Sequence, residues 1–175
     1  MVGEHWNGNA AIIQKGSVNP GSADGYGLRS CFDFPARYKI VQSLAKEEGT
    51  NTGTTSLGDA VSYCLKSASA KGYSHPDGGY IPNLFITNHD LFRFGNLVNR
   101  KFGDDNTTDR YFGLHRAAIA ILAVYSGPIT LYYGDEWGAY TNGYNKEGDL
   151  GAYNDNSSRT SGKIDNFTEN EQSLV

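Results

Sequence analysis

The order of apolar and polar positions along the chain predicts short strands that alternate with helices. Apolar residues recur at helical spacing over 36–49 and 57–72, with a Gly at or near the end of each stretch. The clearest helical pattern covers 110–127 and is closed by Gly-Pro. Strand patterns occupy 27–35, 83–87 and 129–133, and Met1-Val2 is interpreted as the end of a further strand. Such alternation is typical of an α/β fold with parallel strands.

The stretches between these elements are predicted to be loops. Residues 7–25 are rich in Gly, Asn and Ser, and so is the region from 140 onward, where 170–175 open a short helix. The stretch that follows residue 90 is predicted as a loop up to 103–109, which offers several residues suited to capping the next helix.

Conspicuous polar residues follow three of the predicted strands. Glu4 comes after Met1-Val2, Asp90 comes after the 83–87 strand, and Glu136 comes after the 129–133 strand. Because the carboxyl ends of parallel strands share one face, we expect these carboxylates to converge. The run Asn88-His89-Asp90 also favours a cleft, since burying such groups unpaired costs several kcal/mol.

Paired carboxylates in a cleft lined by Tyr and Trp suit the hydrolysis of glycosidic bonds. One carboxylate protonates the leaving oxygen, and another stabilises the positive charge that develops on the sugar ring. Each residue also has a structural alternative: Glu4 as a solvated loop residue, His89 as a structural hydrogen-bonding partner, and Asp90 as a helix cap. For Glu136 the structural role is favoured even in this context.

Composition narrows the alternatives further. A chain of 175 residues suffices for one domain, and its net charge of −4 with no basic cluster argues against binding nucleic acid. No apolar run approaches the length that spans a membrane. Cys31 and Cys64 are predicted to be free buried thiols, and the zinc motifs C-x-x-C and H-E-x-x-H are absent from the sequence.

Four motifs together resemble the alpha-amylase family, glycoside hydrolase family 13. FITNHDLFR (85–93) resembles the family's strand-seven motif, VGEHW (2–6) its strand-five motif, GPITLYYGDEWG (127–138) its strand-eight motif, and FDFP (32–35) is similar to strand six. The resemblance implies a partial TIM barrel, about strands five to eight with their helices. Residues 1–175 would then form a single incomplete domain, the C-terminal half of the catalytic (β/α)8 barrel.

The same resemblance implies roles for individual residues. Glu4 matches the general acid/base, Asp90 matches the carboxylate that stabilises the transition state, and His89 matches a residue that binds sugar hydroxyls. Trp6 would border the leaving-group side, and Arg93 would be either structural or part of the cleft lining. The implied function is that of a retaining alpha-glycosidase acting on alpha-glucans such as starch and maltooligosaccharides.

The resemblance requires no cofactor, but it raises calcium as a hypothesis, since some members of the family bind this ion. Two acidic stretches, 103–109 and 146–156, could donate oxygen ligands, although neither matches an EF-hand and a solvated loop is the favoured interpretation.

The sequence departs from the family pattern in one central respect. The family's nucleophile is an Asp in a strand-four motif of the form G-x-R-x-D, and no such motif occurs here; the strand-three motif is missing too. We therefore expect the isolated chain not to hydrolyse glucans. Open sheet edges in half a barrel predict a homodimer or higher oligomer. An alpha-glucanotransferase and a non-catalytic carbohydrate-binding domain stay open as alternatives, and no cellular compartment is indicated.

Overall fold

The computed structural model describes residues 1–14, 16, 27–28, 30–47, 52–68, 81–144 and 157–174. Its helices and strands follow one another as α1 (Ala10–Ile13), α2 (Phe34–Leu44), α3 (Leu57–Ala68), β1 (Leu84–Phe85), α4 (Phe94–Phe102), α5 (Asp109–Val124), β2 (Ile129–Thr130), a 3-10 turn (Asp135–Trp137) and α6 (Glu169–Gln172).

Parallel backbone pairing joins four short segments in the order in which they occur along the chain. Gly3 pairs with Cys31, Phe32 pairs with Asn83, and β1 pairs with β2 through Leu84 and Ile129. The predicted α/β class with parallel strands is therefore confirmed. Among the described residues no further strand pairs with the outer segments at Gly3 and β2. The expected association of chains through these edges stays a prediction.

Side chains of β1 and the residue after it alternate between two apolar clusters. Leu84 and Ile86 pack into the larger cluster, which is formed mainly by α2, α4 and α5. Phe85 points the other way, into a smaller cluster with Cys31 and Phe34. This period of two is what a strand covered on both faces requires. Cys31 and Cys64 are buried thiols that form no disulfide, as predicted.

Helix α2 begins earlier than the apolar pattern predicted. Residues 27–35 were expected to form a strand ending at Pro35, but the side chain of Asp33 accepts a hydrogen bond from the backbone N–H of Ala36 and caps the helix. Pro35 lies in the first turn, where its missing N–H costs nothing. Among the described residues of 27–35, Cys31 and Phe32 alone keep strand pairing, so the predicted strand is shortened to a bridge.

Two helices lie where loops were predicted. Helix α1 falls within 7–25 and is capped by the Asn9 side chain, and α4 follows the Asn88-His89-Asp90 turn. Helix α4 carries buried Phe94, Leu97 and Val98 at the i, i+3, i+4 spacing of a helix, a signal that its polar residues obscured. Buried Asn96 is accommodated in α4 because its side chain donates to backbone oxygens of Thr141 and Tyr144.

The other elements agree with the sequence patterns apart from their ends. Helix α5 covers most of 110–127 and is capped by the Thr108 side chain. The strands predicted at 83–87 and 129–133 are reduced to β1 and β2. Helix α6 confirms the short helix expected near the chain end. Helix α2 ends at Leu44, earlier than the predicted 49, and the end of the helix predicted to reach 72 lies outside the described residues. In the described part of the chain, none of the helices combines the length and apolar character needed to cross a membrane.

Two helical glycines provide a matched test of the packing between α4 and the turn after β2. A Cβ on Gly95 would lie 1.8 Å from Tyr111 Oη and 2.8 Å from the backbone oxygen of Ala139, whereas a Cβ on Gly113 meets nothing within 4 Å. We expect Gly95→Ala to lower the free energy of unfolding by about 2 kcal/mol through overpacking. Gly113→Ala should raise it by roughly 0.5 kcal/mol, because Ala restricts the unfolded chain. Urea denaturation of both variants measures this, and equal effects would contradict the described packing.

Candidate active site

Glu4, His89 and Asp90 meet at the carboxyl ends of the parallel segments. Glu4 follows the Gly3 bridge, and the other two residues follow β1 by a few positions. One carboxylate or imidazole atom from each of the three lies within 4.8 Å of the others. The convergence expected for Glu4 and Asp90 from their places at strand ends is therefore present in the fold.

The side chain of Asn88 links the two segments that supply these groups. Its Nδ2 donates to Glu4 Oε1 at 2.9 Å, across 84 residues of sequence. Its Oδ1 accepts from the backbone N–H of Asp90 at 2.9 Å, which closes the turn through His89. Asn88 is 2% exposed, so its amide needs hydrogen-bond partners inside the protein, and these two contacts supply them. The sequence motif contained Asn88, but its position alone did not indicate a connecting role.

Exposure changes sharply along the turn and is greatest at His89. Thr87 is fully buried, while the His89 and Asp90 side chains are 54% and 31% exposed. His89 Nε2 lies 3.3 Å from Asp90 Oδ2. The buried Asn88 amide has hydrogen-bond partners on both its nitrogen and its oxygen, while His89 and Asp90 reach solvent.

Arg159 reaches the same turn from a distant part of the chain. Its Nη2 donates to Asp90 Oδ1 at 2.7 Å, and its Nε donates to the backbone oxygen of His89 at 3.0 Å. Sequence analysis did not find this residue, since it lies 69 residues from Asp90 in a stretch without a recognisable element. Asp90 thus faces a guanidinium on one oxygen and an imidazole on the other.

Glu136 does not join the cluster, so the expectation that three carboxylates converge is wrong for this residue. Its Oε2 accepts from the backbone N–H of Gly134 at 2.7 Å within the 3-10 turn. The turn begins directly after Gly134, whose φ of 102° lies in the left-handed region. That geometry directs the glutamate back onto its own backbone, in agreement with the structural role favoured from sequence.

Trp6 lies two positions after Glu4 and is half exposed. Its Nε1 donates to Tyr38 Oη at 2.9 Å, and its ring stacks on Phe34 with centroids 5.3 Å apart and planes inclined by 16°. Helix α2 therefore holds the ring in one orientation and leaves part of it open to solvent. This placement is compatible with a sugar-facing surface, and the proposed leaving-group role stays a prediction.

Arg93 is 1% exposed and lies beneath the site instead of lining it. Its guanidinium packs over the Tyr133 ring at 4.6 Å, Nη1 donates to the backbone oxygen of Tyr133, and Nη2 donates to Thr160 Oγ1 at 3.3 Å. Of the two roles considered from sequence, burial favours the structural one. A contact between Arg93 and substrate, as part of the cleft lining, stays a prediction.

Two of the three acidic residues of 103–109 have side-chain partners within the chain. Asp104 forms an ion pair with Arg110, and Asp105 accepts from the backbone N–H and hydroxyl of Thr107, which lowers the pKa of Asp105. Among the described residues these carboxylates do not form a close group of ligand atoms. The second acidic stretch, 146–156, lies outside the described residues, and calcium binding stays a hypothesis.

Two solved structures resemble this chain over nearly its whole length. The crystal structure of AmyP in which one glutamate is replaced by glutamine, in complex with maltotriose, has a TM-score of 0.79 and 32% identity. The crystal structure of AmyP in complex with maltose has a TM-score of 0.74 and the same identity. Each match covers 99% of this chain and 35% of the AmyP chain, so the sequence spans about a third of that length. Comparison with protein-family models and with curated proteins found no match.

Two buried ionisable groups have pKa values shifted in opposite directions. Burial raises the pKa of Asp135 to about 7, against the lowering effects of the Thr87 hydroxyl and the Arg93 charge. Burial lowers the pKa of His115 to about 4, although its ring bonds the backbone oxygen of Tyr111 at 3.0 Å. Between about pH 4 and 7, the folded chain therefore keeps Asp135 protonated and His115 neutral.

These shifts predict how stability changes with pH. Between about pH 4 and 7, folded Asp135 keeps a proton that the unfolded chain has lost, so its contribution to stability falls as pH rises. Over most of this range His115 has the opposite effect, and the two largely cancel. Asp135→Asn removes the contribution of Asp135 to this pH dependence and leaves that of His115. Its free energy of unfolding relative to wild type should rise by roughly 1 kcal/mol per pH unit up to pH 7 and then level off.

Urea denaturation at several pH values measures this difference. Asp165→Asn, a substitution at an exposed position, serves as the matched control and should show no such slope. A slope equal in the two variants would contradict a buried, protonated Asp135.

Proposed function

The chain belongs to the alpha-amylase family, and on that premise we propose that it carries part of the active site of a retaining alpha-glycosidase. The substrate class is alpha-glucans, in line with the maltose and maltotriose bound by the AmyP structures. The observation that carries the proposal is the meeting of Glu4, His89 and Asp90 within 4.8 Å at the strand ends.

We further propose that residues 1–175 form the C-terminal half of a (β/α)8 barrel, strands five to eight with their helices. The support is the order of the four parallel segments, each paired with the next one along the chain. In such barrels the catalytic groups lie at the carboxyl ends of the strands. Glu4 and the Asn88-His89-Asp90 turn occupy those positions.

Each of the clustered residues has a defined task in this scheme. Glu4 gives a proton to the leaving oxygen and later takes one from water, as the single acid/base of a retaining reaction. Asp90 offers a carboxylate to the positive charge that develops at the sugar ring. His89, which is exposed beside Asp90, donates a hydrogen bond to a ring hydroxyl.

A third carboxylate would act as the nucleophile, and the family motif that carries it does not occur in the sequence. Residues that act as one catalytic unit lose several orders of magnitude in rate when one of them is missing.

The proposed site predicts where a short glucan binds. Titrating the labelled chain with maltotriose should shift the backbone amide resonances of Glu4, His89 and Asp90, with a Kd on the order of millimolar. His89→Ala should weaken binding by about tenfold, the equivalent of one hydrogen bond of about 1.4 kcal/mol. Asp90→Asn should weaken it too, whereas its matched control Asp165→Asn, at an exposed position away from the cluster, should not. Shifts confined to other residues would refute the assignment.

The missing nucleophile predicts a distinct result in an activity assay. The purified chain incubated with amylose should release no more maltose than its Glu4→Gln variant, because the covalent step lacks its carboxylate. Release of maltose that Glu4→Gln abolishes would show that another residue of this chain serves as the nucleophile.

A further inference from the structure

Residues 157–160 cross the outer side of the His89–Asp90 turn, and we call them the 157–160 strap. Ser157 and Ser158 are fully buried. Their backbone oxygens accept from Thr141 Oγ1 at 2.7 Å and from Tyr132 Oη at 3.2 Å, respectively.

The backbone oxygen of Thr160 accepts from Tyr133 Oη at 2.6 Å, and its hydroxyl accepts from Arg93. The strap is therefore fixed at both ends to the segments before and after the 3-10 turn.

The strap contacts the turn through Ser158 and Arg159. Ser158 Oγ and Arg159 Nε both donate to the backbone oxygen of His89, each at 3.0 Å. Arg159 Nη2 donates to Asp90 Oδ1 at 2.7 Å. One guanidinium plane thus spans two consecutive residues of the candidate site, a main-chain acceptor and a carboxylate.

We propose that Arg159 is a positioning residue that holds the Asp90 carboxylate in the orientation needed beside the sugar ring. With Oδ1 held by Arg159, Oδ2 is turned toward His89 Nε2 at 3.3 Å. The inference rests on the proposed function, because the orientation of Asp90 has catalytic meaning only if a sugar binds there. Arg159 acts through Asp90 and does not touch the reacting atoms.

Two features separate this arrangement from an ordinary surface ion pair. A surface pair contributes about 0–1 kcal/mol, partly because two flexible side chains must be ordered to form it. Here the strap backbone is already fixed by hydrogen bonds from Thr141 and Tyr133. Arg159 also donates to the backbone oxygen of His89, which anchors the guanidinium independently of its contact with Asp90. The planar fork of a guanidinium also sets direction as well as charge, which a lysine cannot do.

The consequence for catalysis is geometric. A displacement of about 1 Å at a catalytic group can cost about a hundredfold in rate. Asp90 is 31% exposed, so its side chain would have room to change rotamer without the contact from Arg159.

Three-bond couplings from the Asp90 carboxyl carbon to its backbone nitrogen and carbonyl carbon report the χ1 rotamer directly. In the labelled 175-residue chain we expect the couplings of a single rotamer. Arg159→Gln should shift them to averaged values. Arg159→Lys keeps the charge but cannot span both acceptors, so intermediate couplings are expected. Arg116→Gln, which removes an exposed hydrogen bond to Ser173 Oγ, is the matched control and should leave Asp90 unchanged.

Unchanged Asp90 couplings in Arg159→Gln would overturn the proposal, whatever happens to the thermal midpoint, because a merely structural arginine would alter stability alone. If Arg159→Gln fails to fold, Arg159→Lys decides: wild-type couplings there would rule out a need for the guanidinium fork. Adding maltotriose to the wild-type chain separates the two claims. If no resonance of Asp90 shifts on addition of maltotriose, the proposed function is refuted. The coupling measurement still tests whether Arg159 orients Asp90.

Discussion

The amide of Asn88 carries the contact on which the candidate site depends. It donates to Glu4 and accepts from the backbone of Asp90, so one side chain fixes the distance between the two carboxylates. The two strand segments that supply them are separated by the Cys31-Phe32 segment and are not paired directly. Without this amide, Arg159 would still hold Asp90, but Glu4 would lose its hydrogen bond to the turn that carries Asp90.

Charged groups buried beneath the strand ends support this contact. Arg93 and Arg37 are almost fully buried and donate to the backbone oxygens of Tyr133 and Ile86, close to where β2 and β1 end. Arg37 also pairs with Glu47, and its own burial lowers its pKa to about 10. Burying such charges is costly unless they are paired. These hydrogen bonds connect the strand ends to α2 and α4. His89 and Asp90 follow directly after one of the strand ends held in this way.

Periodicity and motif order predicted the parts of the fold that depend on local sequence. Helix α5 and the position of β1 follow directly from their sequence patterns. The placement of polar residues after strands correctly predicted that Glu4 and Asp90 lie close together. Helix α4 was missed because buried Asn96 looks like a loop residue until Thr141 and Tyr144 supply its partners.

Long-range contacts also explain what the sequence could not reveal about the site. Glu136 was expected to converge with the other carboxylates, yet the left-handed Gly134 turns it back onto the chain. Arg159 could not be predicted at all, since its role arises only when the 157–160 strap folds against a turn far away in sequence. Motifs record which residues stand at strand ends, but the contacts that hold them depend on the folded chain.

The central claim is that the cluster formed by Glu4, His89 and Asp90 binds sugar. Intermolecular nuclear Overhauser effects between maltotriose and the side chains of the labelled chain test it most directly. The account predicts contacts from sugar protons to the His89 ring, and from the same ligand to the Trp6 ring held by Tyr38 and Phe34. Contacts from bound maltotriose to other surfaces, with none to His89, would contradict it.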